Sequence, residues 1–172
     1  GLQNLMNVGN SLSIYLNPQL GDLTGLESLT EIGSSLTIGE NASLNTLQGL
    51  DNLSEIGQNF TLSMNPQLTT LANLLSLNSI AGDLLIHNQT NLINLNGLEN
   101  LTNIEGFLNI SVNNELSNIE GVKNIDATTI TQLQIFQNEN LSECAVQSVC
   151  DFLNLNPTHS QLYFPDSSLV TV

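Results

Sequence analysis

The chain has 172 residues, which is enough for one domain with a sizeable core. It carries sixteen acidic residues but only one basic residue, Lys123, and its formal net charge is −15. With almost no positive charge to neutralise phosphates, we expect no binding to nucleic acid or to anionic membrane surfaces. No apolar run is long enough to span a bilayer, so we also expect no membrane insertion.

A 24-residue repeat runs through most of the chain, and leucine and asparagine dominate it. The sequence contains 33 leucines and 26 asparagines. In the second copy the apolar positions are Leu26, Leu29, Ile32, Leu36, Ile38, Leu44 and Leu47. Copies that start near residues 1, 25, 49, 73 and 97 all have apolar residues at these seven positions. A sixth copy starts near residue 121 and slips by one residue at Leu133.

The spacing within each copy predicts a short β-strand. The segment Leu36-Thr37-Ile38 alternates apolar and polar residues with the period of two that is typical of strands. A unit this short cannot bury its apolar side alone, so successive copies must stack on one another. The sequence therefore predicts a mainly β solenoid over residues 1–141, a right-handed β-helix of about six 24-residue turns.

Two further sets of recurring residues mark the corners of the predicted turns. A residue that tolerates positive φ opens each copy, asparagine at Asn73 and glycine in the others: Gly1, Gly25, Gly49, Gly97 and Gly121. A second set is amide-bearing: Asn17, Asn41, Asn65, Gln89, Asn113 and Asn138. We expect these amides to turn inward and to form a ladder with backbone groups that the corners leave unpaired.

The pattern changes after residue 141, and residues 142–172 are predicted to cap the solenoid. Ser142 is a candidate N-cap for a short helix that ends near Leu153, and residues 162–164 are predicted to be extended. The sequence begins on the first position of a repeat. We therefore expect it to be a fragment of a longer chain; the alternative is that a partner covers its first turn.

Two cysteines, Cys144 and Cys150, lie in the predicted cap. They can form a disulfide only if Cys144 lies at or before the first helical turn, and otherwise they are two buried thiols. They are too few for a disulfide framework and have no neighbouring metal ligands. The sequence predicts neither a metal site nor a cofactor.

The repeated string Leu-x-Ile-x-x-Asn-x-x-Leu-x-x-Leu-x-Gly-Leu resembles the leucine-rich repeat of the receptor L-domain. That domain is the β-helix-like ligand-binding module of the epidermal growth factor and insulin receptor families. The stretch Cys-Ala-Val-Gln-Ser-Val-Cys-Asp-Phe-Leu, at residues 144–153, is similar to the ending of L-domain-like surface proteins of Bacteroidetes bacteria. The resemblance implies a secreted or cell-surface protein and leaves its ligand open.

Outward positions on the predicted strands form a face with one charge among eighteen residues. The candidate ligand-binding residues on this face are Tyr15, Leu85, His87, Phe107, Asn109, Gln134 and Phe136. Neutral amides and hydroxyls around a few apolar and aromatic groups suit a glycan or a protein surface. An ordinary strand face also favours such residues for cross-strand pairing, and both interpretations stay open.

Few residues in the sequence are spaced like those of a catalytic site. Glu31 and Glu55 lie one repeat apart and could serve acid–base chemistry, but uncharged residues take this position in other copies. Neither His87 nor His159 has a nucleophile or metal ligand beside it in the pattern. We therefore predict that the protein is not an enzyme.

The predicted function is that of an extracellular recognition or adhesion module for a protein or glycan. The alternative is a structural spacer within a large secreted surface protein, which would contact only neighbouring repeats or domains of its own chain.

Overall fold

A computed structural model describes residues 1–142, 145–156 and 160–162. These residues form a parallel-strand β-solenoid of about five turns, each of about 24 residues, followed by one α-helix. The predicted solenoid class and its C-terminal helix are confirmed, and the number of turns is close to the predicted six. We call each turn of the solenoid a coil, and the first coil comprises residues 1–24.

The strands in the described residues are short, as the spacing predicts. In chain order they are β1 (Asn7–Val8), β2 (Leu12–Tyr15), β3 (Glu31–Ile32), β4 (Leu36–Gly39), β5 (Glu55–Ile56), β6 (Phe60–Ser63), β7 (Ser79–Ile80), β8 (Leu84–His87), β9 (Asn103–Ile104), β10 (Phe107–Ser111), β11 (Gln132–Phe136) and β12 (Ser160–Leu162). The main sheet has the order β2-β4-β6-β8-β10-β11-β12, and the smaller sheet has the order β1-β3-β5-β7-β9.

The register of the main sheet follows the repeat. Leu36 pairs with Leu12 on one side and with Phe60 on the other, an offset of 24 residues in each direction. Between β10 and β11 the offset becomes 25, since Leu108 pairs with Leu133. The predicted one-residue slip is therefore confirmed, and the strand pairing absorbs it without loss of parallel register.

Stacked aliphatic side chains fill the interior of the solenoid. Leu36 and Ile38 are fully buried on β4, whereas Thr37 between them is partly exposed. The same alternation recurs on β6, β8 and β10, so one column of side chains points into the core and the next points outward. This alternation places the candidate ligand-binding residues on the outer face of the main sheet.

The predicted positive φ at the corner that opens each copy is confirmed at three positions and is wrong at two others. Gly25, Gly49 and Gly97 have φ angles of +109°, +113° and +115°, as a tight corner requires. The prediction that Asn73 takes a positive φ is wrong, because Asn73 lies within a 3-10 turn at Ala72–Leu74. A second 3-10 turn at Glu120–Val122 contains Gly121. Such turns keep φ negative and bend the chain with i→i+3 hydrogen bonds instead.

A second kind of corner, which the sequence analysis missed, follows every strand of the main sheet from β2 to β11. Its residues adopt the left-handed conformation with φ between 52° and 58° although none is glycine: Leu16, Glu40, Met64, Asn88, Val112 and Gln137. Each immediately precedes a residue of the amide column. The residue type at this left-handed position varies too much from coil to coil for the sequence to signal the conformation.

Helix α1 (Gln147–Leu155) covers the C-terminal end of the solenoid. Its side chains Val149 and Phe152 are buried against the core, and the Ser148 hydroxyl donates a hydrogen bond of 2.7 Å to the carbonyl of Val122. The helix therefore satisfies both the apolar and the polar groups that the final coil exposes.

The predicted start of this helix is wrong. Ser142 is not its N-cap, because α1 begins at Gln147 and the residue before it, Val146, provides no side-chain cap. Val146 is buried, which shows that packing against the last coil, rather than a capping hydroxyl, sets the boundary. The helix ends at Leu155, two residues beyond the predicted end.

The remaining expectations for the cap are answered in part. Strand β12 pairs parallel to β11 and includes Leu162, the first of the predicted extended residues 162–164; residues 163 and 164 lie outside the described residues, so the rest of that segment stays a prediction. Cys150 is half-buried in α1, but Cys144 also lies outside the described residues. The disulfide therefore stays a prediction.

Candidate functional site

The predicted amide ladder runs through the solenoid, and it accounts for much of the asparagine content. Its fully buried members include Asn41, Asn65, Gln89 and Asn113. The backbone N–H of Asn41 donates to the side-chain oxygen of Asn65 at 3.2 Å, and this link recurs from coil to coil. The ladder is confirmed, and its amides serve the framework rather than a ligand.

Two further polar columns also connect successive coils, and the sequence analysis missed them. In one, the side chains donate to the backbone carbonyl 25 residues earlier: Ser28, Asn52, Ser76, Asn100 and Asn124. In the other, Thr30 and Ser54 donate to carbonyls 24 residues earlier. The recurrence of serine, threonine and asparagine every 24 residues was the available signal.

The position just before each of the strands β2, β4, β6 and β8 also belongs to this framework. The side-chain oxygens of Ser11, Ser35, Asn59 and Asp83 each accept a hydrogen bond from the backbone N–H one coil further on. The Asp83 carboxylate, for example, accepts from the N–H of Phe107 at 2.8 Å. The side-chain oxygens of these four residues are therefore already bonded within the framework.

Two rows of candidate or neighbouring outward positions lie side by side on β8, β10 and β11. Leu85, Asn109 and Gln134 are direct neighbours in the register of these strands. His87, Ser111 and Phe136 form the next row. Since adjacent strands are about 4.8 Å apart, the six residues are close neighbours and none is charged; five of them are partly exposed, whereas Ser111 is buried. We call these six residues the neutral patch.

Phe107 borders the neutral patch at the start of β10. It is partly exposed and pairs in register with Gln132, one row before Asn109. Phe136 lies at the opposite end of the patch, on the neighbouring strand. The patch therefore has a partly exposed aromatic ring near each end and amide groups between them.

Hydrogen bonds hold the amides of the patch in place. The Ser111 hydroxyl donates to the side-chain oxygen of Asn109 at 2.6 Å, and the Asn109 amide nitrogen donates to the Gln134 side-chain oxygen at 3.3 Å. This chain orients both amides before any partner binds. Gln134 is partly exposed, and this chain of hydrogen bonds uses its side-chain oxygen rather than its amide nitrogen.

His87 is held as a neutral side chain at the end of β8. The Asn88 amide nitrogen lies 2.9 Å from Nδ1 of His87. An amide nitrogen can only donate, so Nδ1 accepts and the ring proton lies on Nε2. Burial lowers the pKa of His87, which favours the uncharged ring near neutral pH. His87 therefore adds a hydrogen-bond donor to the patch without adding charge.

Tyr15 does not join the other candidate residues. It lies on β2, and strands β4 and β6 separate it from β8, a distance of about 14 Å at ordinary strand spacing. Its hydroxyl donates to the carboxylate of Glu40, and this hydrogen bond raises the pKa of Tyr15. Tyr15 is thus a separate exposed aromatic group at the sheet edge.

Charged residues in the described chain do not cluster into one site. Glu31 and Glu55 pair in register on the exposed side of the smaller sheet, as the repeat predicts. Lys123 lies 3.5 Å from Glu120, and both side chains are largely exposed. Among the residues that the structure describes, no group of three histidine, cysteine, aspartate or glutamate side chains could hold a metal ion.

Comparisons with protein-family models, with curated proteins and with solved structures find no match to this chain. In the described part of the chain, no helix is long and apolar enough to cross a membrane.

Proposed function

We propose that the protein is a non-catalytic recognition or adhesion module that binds a protein or glycan through the neutral patch. One observation carries the proposal: the strand register brings uncharged, partly exposed side chains together, with the buried Ser111 hydrogen-bonded to Asn109 among them: Leu85, His87, Asn109, Gln134 and Phe136. The chain carries a net charge of −15, yet none of these residues is charged.

The chemistry of the patch suits a neutral polar partner. Phe136 and Leu85 offer apolar area, while Gln134 and His87 offer hydrogen-bond donors beside it. Uncharged groups cost much less to desolvate than ions, and aromatic residues are enriched at binding interfaces. The preformed hydrogen bond between Asn109 and Gln134 reduces the ordering that binding would require.

The resemblance of the repeat to receptor L-domains supports a location outside the cell or at the cell surface. It also supports a binding role rather than a catalytic one, since that module binds ligands. The same resemblance leaves the partner class open, and the experiment must therefore sample both proteins and glycans.

The test is binding of the purified chain to a mixed array of glycans and extracellular-matrix proteins. We expect a saturable interaction that the triple substitution Leu85→Ser, His87→Ser and Phe136→Ser abolishes. The matched control is Tyr15→Ser with Thr37→Ser and Thr61→Ser, which alters the same sheet outside the patch. A partner that binds the patch variant as well as it binds the unmodified chain would refute the assignment.

A structural spacer is the second candidate, and the polar columns favour it. Hydroxyl and amide side chains such as Ser54 and Asn52 bond to the backbone of the preceding coil rather than to a partner. If the chain is a spacer, a copy of residues 25–48 added before Gly1 should raise both the urea midpoint and the slope m. An unchanged midpoint, or saturable binding on the array, would count against the spacer.

A further inference from the structure

The left-handed residues that follow the main-sheet strands form a row beside the neutral patch. Val112 follows β10, and its backbone N–H donates to the carbonyl of Phe136 at 3.1 Å. Met64 follows Ser63, which pairs in register with His87. We call the part of this row that borders the patch the left-handed row: Met64, Asn88, Val112 and Gln137.

Two members of the left-handed row are apolar although their backbone conformation disfavours such residues. Val112 has a φ of 57°, which a β-branched residue rarely adopts. Met64 has a φ of 55° and is 48% exposed, and Val112 is partly exposed, so neither side chain is there to fill the core. Asparagine tolerates this conformation better, and Asn88 shows that the row accepts it. Backbone strain beneath an exposed apolar side chain points to a role in binding.

The left-handed row adds aliphatic area that suits a protein better than a glycan. Val112 offers no side-chain hydrogen bond, and the sulfur of Met64 accepts only weakly. A sugar ring carries hydroxyls on most of its carbons, and a hydroxyl desolvated against an aliphatic group without a partner is unfavourable. Apolar side chains of a protein carry no such cost, and methionine adapts its shape to them. Together with Leu85 and Phe136, the row therefore favours a protein with apolar side chains at the contact.

Acidic side chains flank this combined surface at both ends of the strands. Glu105 is exposed two residues before β10, and Glu139 is exposed three residues after β11. Glu115 is also exposed, and it accepts a hydrogen bond of 3.2 Å from the amide nitrogen of Asn140, so the segments that follow β10 and β11 lie together. The chain contains no basic residue other than Lys123. Lysine or arginine side chains around an apolar centre would complement this arrangement.

We infer that the partner of this surface is a protein segment that combines apolar side chains with lysine or arginine. The inference rests on the proposed function, since it names the class of partner for the same patch. The apolar side chains of the segment contact Phe136, Val112 and Met64. Its basic side chains face the acidic groups beyond the strand ends.

The test is a selection from random peptides displayed on phage. Peptides of about 12 residues are long enough, when extended, to cross the surface in any direction. They are selected on the immobilised unmodified chain and depleted on the patch variant Leu85→Ser, His87→Ser and Phe136→Ser. We expect the selected peptides to combine apolar residues with lysine or arginine. Their Kd should rise several-fold when the salt is raised from about 0.05 M to about 0.5 M. Selected peptides that are acidic or uncharged would overturn the inference.

Substitutions in the left-handed row separate binding from stability. Met64→Asn with Val112→Asn removes the two apolar side chains and introduces the residue type of Asn88. We expect the Kd of the selected peptides to rise at least about tenfold, while the melting temperature rises by about 2–4 °C because the backbone strain falls. The matched control is Leu16→Asn, which has the same conformation at a φ of 58° but follows β2, two strands away from β8. It should also raise the melting temperature and should leave the Kd unchanged.

The outcomes distinguish this inference from the proposed function. A double variant that binds the peptides like the control would overturn the inference, as would one that loses binding and stability together, the result expected of a purely structural role. Patch-dependent binding confined to glycans on the array would also overturn it, and would leave the recognition module in place. Absence of binding to peptides, proteins and glycans alike would refute both.

Discussion

Substituting the one glutamine of the buried ladder should stabilise the protein. The asparagines at 41, 65, 113 and 138 donate their amide nitrogens to strand carbonyls of the preceding coil at 2.9–3.1 Å. Gln89 occupies the same column and is fully buried, but its amide nitrogen has no hydrogen-bond partner. Glutamine is one methylene longer than asparagine, so its amide nitrogen is displaced from the position from which the asparagine nitrogens donate.

The magnitude follows from two opposing terms. A buried polar group without a partner costs about 1–3 kcal/mol, and Gln89→Asn should recover most of this by restoring the donor geometry. The substitution also removes one buried methylene, which costs about 0.8 kcal/mol. We therefore expect the free energy of unfolding to rise by about 1 kcal/mol, which raises the melting temperature of a chain of this size by about 2–4 °C.

The assay is urea unfolding, followed by circular dichroism, of three proteins: the unmodified chain, Gln89→Asn and Asn65→Gln. The last of these is the matched reverse, since it removes the 3.1 Å bond from Asn65 to the Ile38 carbonyl and adds a methylene to the same ladder. It should lower the free energy of unfolding by about 1–3 kcal/mol. The reasoning is refuted if Gln89→Asn lowers the midpoint, or if the two substitutions shift it in the same direction.

Three further predictions concern the corners, the patch histidine and the cap. Gly97→Ala should destabilise more than Gly25→Ala. Both residues have φ near +110°, but an added Cβ lies 1.9 Å from the Leu71 carbonyl oxygen at Gly97 and meets nothing at Gly25; thermal unfolding that ranks the two equally would contradict this. Burial lowers the pKa of His87, so its contribution to stability is present above the unfolded-state pKa of about 6.5 and is lost as the pH falls through the lower folded-state value. The difference in unfolding free energy between the unmodified chain and His87→Gln should therefore shrink between about pH 7 and pH 5; a constant difference would show that His87 does not titrate this way. Ser148→Ala should cost about 1 kcal/mol because it removes the 2.7 Å hydrogen bond to the Val122 carbonyl, which then keeps only the 3.3 Å bond from the Ile125 N–H, whereas Ser142→Ala should be neutral; equal effects in chemical denaturation would contradict this.

Most of the fold is predictable because each coil repeats the same physical constraint. Leu36 and Ile38 must be buried by the coils on either side, so the 24-residue spacing dictates both the parallel pairing and the register. The slip at Leu133 is visible for the same reason. The amide ladder is also predictable, since a buried corner must satisfy its backbone groups.

The errors arise where local geometry has more than one solution. A corner can turn through a glycine with positive φ or through a 3-10 turn, and the sequence at Asn73 is compatible with both. The left-handed residues such as Leu16 and Val112 carry no glycine signal, because the strand before them and the buried amide after them impose the conformation. The start of α1 depends on packing of Val146 rather than on a capping side chain.

For the candidate site, spacing alone places side chains on a face but does not show which are already bonded. The strand register confirms that Leu85, Asn109 and Gln134 are neighbours. However, Asp83, just before β8, is bonded to the backbone of the next coil, and Tyr15 lies at the far edge of the sheet. The hydrogen bonds of the structure are needed to distinguish side chains that bond to the framework from those that a partner can contact.

The central claim is that neutral side chains of the patch bind a partner while those of the ladder hold the coils together. The most direct test compares the patch variant, Leu85→Ser with His87→Ser and Phe136→Ser, and the ladder variant Asn113→Ala, in array binding and in urea unfolding. We predict that the patch variant stays folded and loses binding. The ladder variant should unfold at lower urea and, at temperatures where it is folded, bind like the unmodified chain. A patch variant that retains binding, or a folded ladder variant that loses it, would contradict the account.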